Sequence, residues 1–228
     1  MARLPRVVIP GIPHHVTQRG NGRRQTFFND DDYALYRDLL GEAARRAHVA
    51  VWAYCLMPNH VHVILVPEDE DGLRRTFADL HRRYTGYINA RNRTTGHLWQ
   101  GRFGSVAMDE AHLWHGLRYV SLNPVRAGLV KRAKDWRWSS VQAHLAGEDD
   151  GVVTVAPALE RVGDFARYLA EPFDEAADYA ALRKAESIGR PVGSADWLKA
   201  LEAQTGRVLA AQKRGPMAKA RVDCLGVK

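Results

Sequence analysis

The sequence predicts an α+β fold, an antiparallel sheet packed with helices and followed by a small helical C-terminal region. Three observations predict it. Short runs rich in Val, Ile and aromatic residues alternate with longer stretches whose apolar residues recur at helical spacing. The first seven elements read β-α-β-β-α-β-α, the order of ferredoxin-like and RNA-recognition folds. The two middle strands are parted only by Pro58-Asn59, a break of hairpin length.

In chain order, His14 to Gln18 predicts a short strand entered through Pro-Gly-Ile-Pro (10–13). Arg19 to Arg24 is a basic loop broken by Gly and Asn. Asp30 to Asp32 supply an N-cap and first-turn acids. The helix they open presents Tyr33, Tyr36, Leu39, Leu40 and Ala43 or Ala44 on one face. Val49 to Met57 and His60 to Val66 predict the hairpin. A helix from Gly72 to Ala90 follows. Leu73, Phe77, Leu80, Tyr84 and Ile88 form its apolar stripe, with Arg74, Arg75, Arg82 and Arg83 off it. Gly101 to Met108 predicts the fourth strand. Asp109-Glu110 then open a helix expected to run to Leu122 and stop at Asn123-Pro124, because the residue before a proline is pushed out of helical geometry.

A short helix is expected to reach Leu145. The acidic turn Gly147 to Gly151 is the best boundary, dividing residues 1–147 from a mainly helical region at 148–228. The best helix of that region spans Ser194 to Gln204, and the tail beyond Leu209 is rich in Lys, Arg and Gly.

The 228 residues carry a formal net charge of +7, which favours anionic partners, nucleic acid first. No apolar run approaches the roughly 18–20 residues that span a bilayer. The opening Met-Ala-Arg-Leu-Pro-Arg lacks the apolar core of a secretory signal. Only Cys55 and Cys224 occur, far apart, which fits a reducing compartment. A cytoplasmic protein without membrane contact is therefore expected.

In a strand, residues i and i+2 share a face, so His60 and His62 present two imidazoles side by side. Two polar residues on a solvated sheet face would do the same. What points further is the helix around Tyr119. Leu113, Leu117 and Val120 form its core stripe, while His112, His115, Tyr119 and Asn123 fall on a neighbouring polar stripe. Tyr119 and Asn123, four apart, reach one point if the helix stays regular into Asn123. Two histidines do not complete a metal site; a third ligand and an open position are needed. The residues leave two choices. Zinc would take a further histidine from His14-His15 or His112/His115, whereas magnesium or manganese would take an oxygen, which Asn123 offers.

Five segments make the sequence recognisable: Pro-Gly-Ile-Pro-His-His-Val-Thr-Gln-Arg-Gly-Asn (10–21), Ala-Tyr-Cys-Leu-Met-Pro-Asn-His-Val-His (53–62), Leu-Trp-Gln-Gly-Arg-Phe (98–103), Arg-Tyr-Val-Ser-Leu-Asn-Pro-Val-Arg-Ala-Gly (118–128) and Trp-Arg-Trp-Ser-Ser (136–140). With them the chain resembles the REP-associated tyrosine transposases, relatives of the single-tyrosine insertion-sequence transposases in the HUH endonuclease superfamily. The resemblance is dense from residue 2 to about 146 and looser beyond, through Gly-Arg-Pro-Val-Gly-Ser (189–194). It implies that His60 and His62 bind a divalent cation, Mg2+ or Mn2+, and that Tyr119 is the nucleophile. Insertion-sequence relatives place a glutamine ligand four residues after the tyrosine; here that position is Asn123, one methylene shorter. The tail departs from the family pattern, with Lys-Arg-Gly-Pro-Met-Ala-Lys (213–219) in place of a Gly-Arg-Pro-Arg-type stretch.

The implied activity is cleavage and rejoining of single-stranded DNA beside a hairpin-forming palindrome, through a 5′-phosphotyrosine, in DNA transposition or REP element mobilisation. The chain would act as a monomer or homodimer. A phenol ionises near pH 10, so Tyr119 needs help at neutral pH. His115, one turn earlier, is a candidate proton acceptor or a packing residue. Arg19, Arg23, Arg24, Arg82, Arg83, Arg102, Arg118 and Arg126 are candidate phosphate partners, with Arg74 and Arg75 also available. Trp99 and Phe103 are candidates to stack on bases or to join the core. Two other readings compete. One is a domesticated hairpin-binding module with little chemistry. The other is a zinc hydrolase built on His60, His62 and another histidine, whose activity would survive Tyr119→Phe.

Overall fold

The computed structural model describes residues 6–172 and 174–209. The expected basic tail beyond Leu209, with Cys224, lies outside the described residues. The elements are β1 (His14–Arg19), α1 (Asp30–Arg46), β2 (Val49–Met57), β3 (His60–Pro67), α2 (Gly72–Asn92), β4 (Gly104–Ala107), α3 (Glu110–Arg126), α4 (Val141–Ala146), α5 (Ala156–Val162), α6 (Phe165–Ala170), α7 (Glu175–Ile188) and α8 (Ala195–Thr205). The four strands form one antiparallel sheet in the order β2-β3-β1-β4. The α+β class and the ferredoxin-like order of elements are as the sequence predicts.

Strand alternation sorts the residues into two layers. Val61, Val63 and Leu65 of β3 pack with Val51 and Leu56 of β2 beneath α1 and α2. The α2 stripe of Leu73, Phe77, Leu80, Tyr84 and Ile88 closes this layer, each residue no more than 2% exposed. Burial of that kind contributes about 1.5–3 kcal/mol per large side chain. Trp99 and Phe103 join the same core. Trp99 stacks on His81 with centroids 4.6 Å apart, and Phe103 lies 4.6 Å from Phe77. Opposite, Cys55, Met57 and Ile64 pack against Leu113, Leu117 and Val120 of α3, with Phe165, Tyr168, Tyr179 and Leu182 from α6 and α7. The sheet is thus covered on both faces, and the second cover is partly built by the C-terminal region.

Three local details differ from the sequence expectations. The N-cap of α1 is Asn29, one residue earlier; its Oδ1 accepts from the Asp32 amide at 3.0 Å while Asp32 Oδ2 accepts from the Phe28 amide at 2.8 Å. β4 begins at Gly104, where its pairing with Thr17 of β1 begins, and Gly101 lies outside it with a φ of +60°. α3 does not stop before Pro124 but runs through it to Arg126. Proline's fixed φ is compatible with a helix, and its loss is one amide donor. The ladder resumes at once, with the Ala127 amide donating to the Asn123 carbonyl at 3.0 Å.

Candidate active site

β3 puts His60 and His62 on the face turned to α3. β1 pairs with β3 so that Thr17 stands opposite His62 and Arg19 opposite His60. His15, two residues back along β1, is therefore diagonal to His62 on the same face. Their rings are stacked, with centroids 5.1 Å apart and planes within 6°, and His15 Nε2 lies 3.0 Å from His62 Nδ1. His60 stands edge-on to His62 at 5.0 Å. Its Nδ1 lies 2.6 Å from Asn59 Oδ1. An amide oxygen only accepts, so with that oxygen facing the ring Nδ1 carries the proton and Nε2 keeps the free lone pair.

Burial holds these imidazoles neutral, the form that binds a metal. It pushes His15 down to about 3. His60 falls to about 4, chiefly through burial, with the Arg19 charge adding. His62 lies well below its ordinary value, again by burial first, then by His15, His60, Arg19 and Arg126.

α3 lays Tyr119 across this histidine floor. Its ring is edge-on to His62 at 5.4 Å and to His15 at 5.7 Å. Tyr179 of α7 meets it edge-on at 4.9 Å from the other side, and the Arg126 guanidinium sits 4.6 Å over the ring. Tyr119 is 6% exposed. Burial raises its pKa and the Glu186 charge adds to that, while Arg126 and Arg183 pull it down. Since α3 is unbroken through Pro124, Tyr119 and Asn123 share a face. Asn123 is buried, yet among the described residues its side chain makes no hydrogen bond with His15, His60 or His62.

Glu186 arrives from α7. Its Oε1 lies 3.2 Å from His15 Nδ1. α7 docks over β4 at Gly104, where a Cβ would stand in ordinary contact with the Glu186 carbonyl at 3.8 Å and would press on Thr17 Oγ1 at 2.9 Å. Burial raises the Glu186 carboxyl to about 7 against the opposing pull of Arg19, Arg183 and Arg126. His15, His62 and Glu186 each offer one ligand atom, all within 4.8 Å of one another. His15 Nδ1 and Glu186 Oε1 are buried and make no hydrogen bond. Two neutral imidazoles and a carboxylate with unsatisfied buried atoms fit a divalent cation.

A cleft of about 360 Å³ opens over this floor, with His60, His62 and Glu186 at its base and Arg6, Arg19, Arg102 and Arg183 around it. Of the arginines singled out in the sequence, Arg19 and Arg102 line the cleft and Arg126 covers Tyr119. Arg23 lines a shallower depression next to His60, and Arg24 is exposed. Arg82 and Arg83 lie on α2, behind the sheet, paired with Asp79 and Glu42. Arg118 is buried, bonded to the Tyr168 carbonyl with its guanidinium 4.5 Å over the Tyr168 ring. His112 is held by Asp109 at the start of α3, away from the histidine floor, at 2.6 Å. The sequence offered His15 only within the His14-His15 pair, as a possible further ligand of a zinc site; the alternation of β1, once paired with β3, was the signal for its place. For Glu186 and Tyr179 there was none.

Residues 10–123, half of the chain, match the family of IS200-like transposases, and the chain belongs to that family. A Haemophilus influenzae protein named "Putative REP-associated tyrosine transposase" is 31% identical over 114 residues, 43% of this chain and 65% of the relative; the match thus spans just under two thirds of that relative's length. The REP-associated tyrosine transposase of Escherichia coli is 25% identical over 148 residues, 64% of this chain and 86% of the relative. The solved structure of a REP-associated tyrosine transposase bound to a REP hairpin superposes with a TM-score of 0.57 at 25% identity, covering 68% of this chain and 92% of that one. Among the described residues no helix is long and apolar enough to cross a membrane.

Proposed function

We propose that the chain cuts and rejoins single-stranded DNA beside a REP-like hairpin, with Tyr119 as nucleophile and a divalent cation, Mg2+ or Mn2+, at the histidine floor. The observation that carries this reading is Tyr119 standing edge-on to His62, 5.4 Å away, beside a cleft walled by Arg19 and Arg102. The family and the relative solved with a REP hairpin support the substrate class. The setting would be cytoplasmic, at the chromosome, with residues 148–228 as an appended helical region.

His62 and His60 present neutral ring nitrogens to the cation. When bound, it would supply charge neutralisation at the non-bridging oxygens of the scissile phosphate. Arg19 and Arg102 draw the DNA backbone into the cleft. The Tyr119 phenolic oxygen attacks phosphorus, the bond from phosphorus to the 3′ oxygen breaks, and a 3′-hydroxyl leaves with a proton. Arg126 and Arg183 favour the phenolate against burial. The covalent 5′-phosphotyrosine keeps one end of the strand. Attack on it by a second 3′-hydroxyl reverses the chemistry, frees Tyr119 and restores a phosphodiester without ATP.

End-labelled single-stranded hairpins incubated with the protein in Mn2+ or EDTA test this. A covalent protein–DNA adduct formed only with Mn2+ is the expected result. Hairpin binding with no adduct or cut would favour the second reading, a binding protein with little chemistry. The observation on its side is the burial of Tyr119 beneath Tyr179.

A further inference from the structure

We propose that Glu186, on α7, supplies the oxygen ligand of the metal centre and, with His15, joins His60 and His62 there, in the place that Asn123 was expected to fill. The assignment rests on the cation-dependent reading above and extends it to a residue outside the matched segment 10–123.

Three observations carry it. First, the ligand-capable atoms of His15, His62 and Glu186 converge within 4.8 Å from three separate elements, β1, β3 and α7. Second, the closest of these contacts is left unsatisfied: His15 Nδ1 and Glu186 Oε1 are 3.2 Å apart, buried, and form no hydrogen bond. Buried polar atoms left without partners destabilise the fold, and a shared cation removes that cost. Third, Glu186 lines the same cleft as His60 and His62, and Asn123 is not among the residues lining it. Imidazoles joined by one carboxylate make a mixed nitrogen and oxygen donor set, and the oxygen donor suits Mn2+ or Mg2+ better than a site of nitrogen alone.

The test is Mn2+ binding by the whole protein without DNA, with free Mn2+ followed by its electron paramagnetic resonance signal. Glu186→Gln, which keeps the side-chain shape, is expected to weaken binding at least about tenfold. Asn123→Ala is expected to leave it within about twofold on the same scale. Glu186→Asp, which keeps the carboxylate, is expected to bind more tightly than Glu186→Gln. Thermal midpoints in EDTA check that each variant is folded, and the Asp-to-Gln comparison stands if one variant is weakened. Unchanged affinity in Glu186→Gln, or no Mn2+ site in the wild-type protein, overturns the assignment. Adduct formation separates the two levels. An adduct without any Glu186 effect on Mn2+ affinity sinks the ligand assignment alone. Mn2+ binding that depends on Glu186, without an adduct, sinks the reaction and leaves the ligand standing.

Discussion

His15 Nε2 lies 3.0 Å from His62 Nδ1, with the two rings parallel within 6°. A histidine outside the strand pair thereby fixes the ring of one inside it. His15→Phe keeps the stacked ring and removes both nitrogens. Mn2+ affinity is expected to fall at least about tenfold, and the rate of adduct formation to fall with it. The thermal midpoint in EDTA should change little, because the unsatisfied Nδ1 goes but the hydrogen bond to the buried His62 Nδ1 goes with it. Unchanged Mn2+ affinity would remove His15 from the site.

The cleft arginines and the α2 arginines should separate in a salt titration. Arg19 faces the cleft, and its replacement by Ala is expected to reduce the slope of log K against log salt for hairpin binding by about one. Arg82 lies behind the sheet and is paired with Asp79 at 3.0 Å, so Arg82→Ala should leave the slope nearly as it was. Equal effects of the two would mean that DNA wraps onto α2.

Asp109 joins two helices. It caps α3 by accepting from the His112 amide at 3.0 Å, and its other oxygen accepts from the Ser194 amide at 2.8 Å, ahead of α8. Asp109→Ala is expected to cost about 2 kcal/mol, the upper end for a cap, read from urea denaturation. A loss within about 0.5 kcal/mol would mean that the link to α8 adds nothing.

His81 is held neutral, pushed down to about 3 by burial, with the Tyr36 hydroxyl 3.1 Å from its Nε2. The unfolded chain protonates it near 6.5, so below that pH the unfolded state binds the extra proton. The stability from His81 is complete above about pH 6.5 and is lost as pH falls toward 3, by no more than about 1.4 kcal/mol per pH unit. His81→Gln keeps a partner for Tyr36 without titrating. Between pH 7.5 and 5 its urea midpoint should fall less than that of the wild-type protein. An equal fall would mean that His81 is already charged in the folded protein.

The sheet and the helices α1 and α2 could be read from sequence because each buries one face, and burial writes a period of two or of 3.6 into the chain. His60, His62 and Tyr119 were legible for the same reason: alternation along β3 and the stripe along α3 give their faces. The end of α3 was not, since whether Pro124 stops a helix depends on what its neighbours bond, here Ala127 to Asn123. Glu186 was the least legible. Its place follows from α7 docking over β4 at Gly104, a contact between distant segments that leaves no local pattern.

The most direct test of the central claim is to trap the adduct and find its residue. The wild-type protein and Tyr119→Phe are incubated with the same single-stranded hairpins in Mn2+, digested, and the nucleotide-bearing peptide is sequenced by mass spectrometry. A 5′-phosphoryl nucleotide on Tyr119, and no adduct with Tyr119→Phe, is the predicted result. An adduct on another residue, or cleavage that survives Tyr119→Phe, would contradict the tyrosine mechanism.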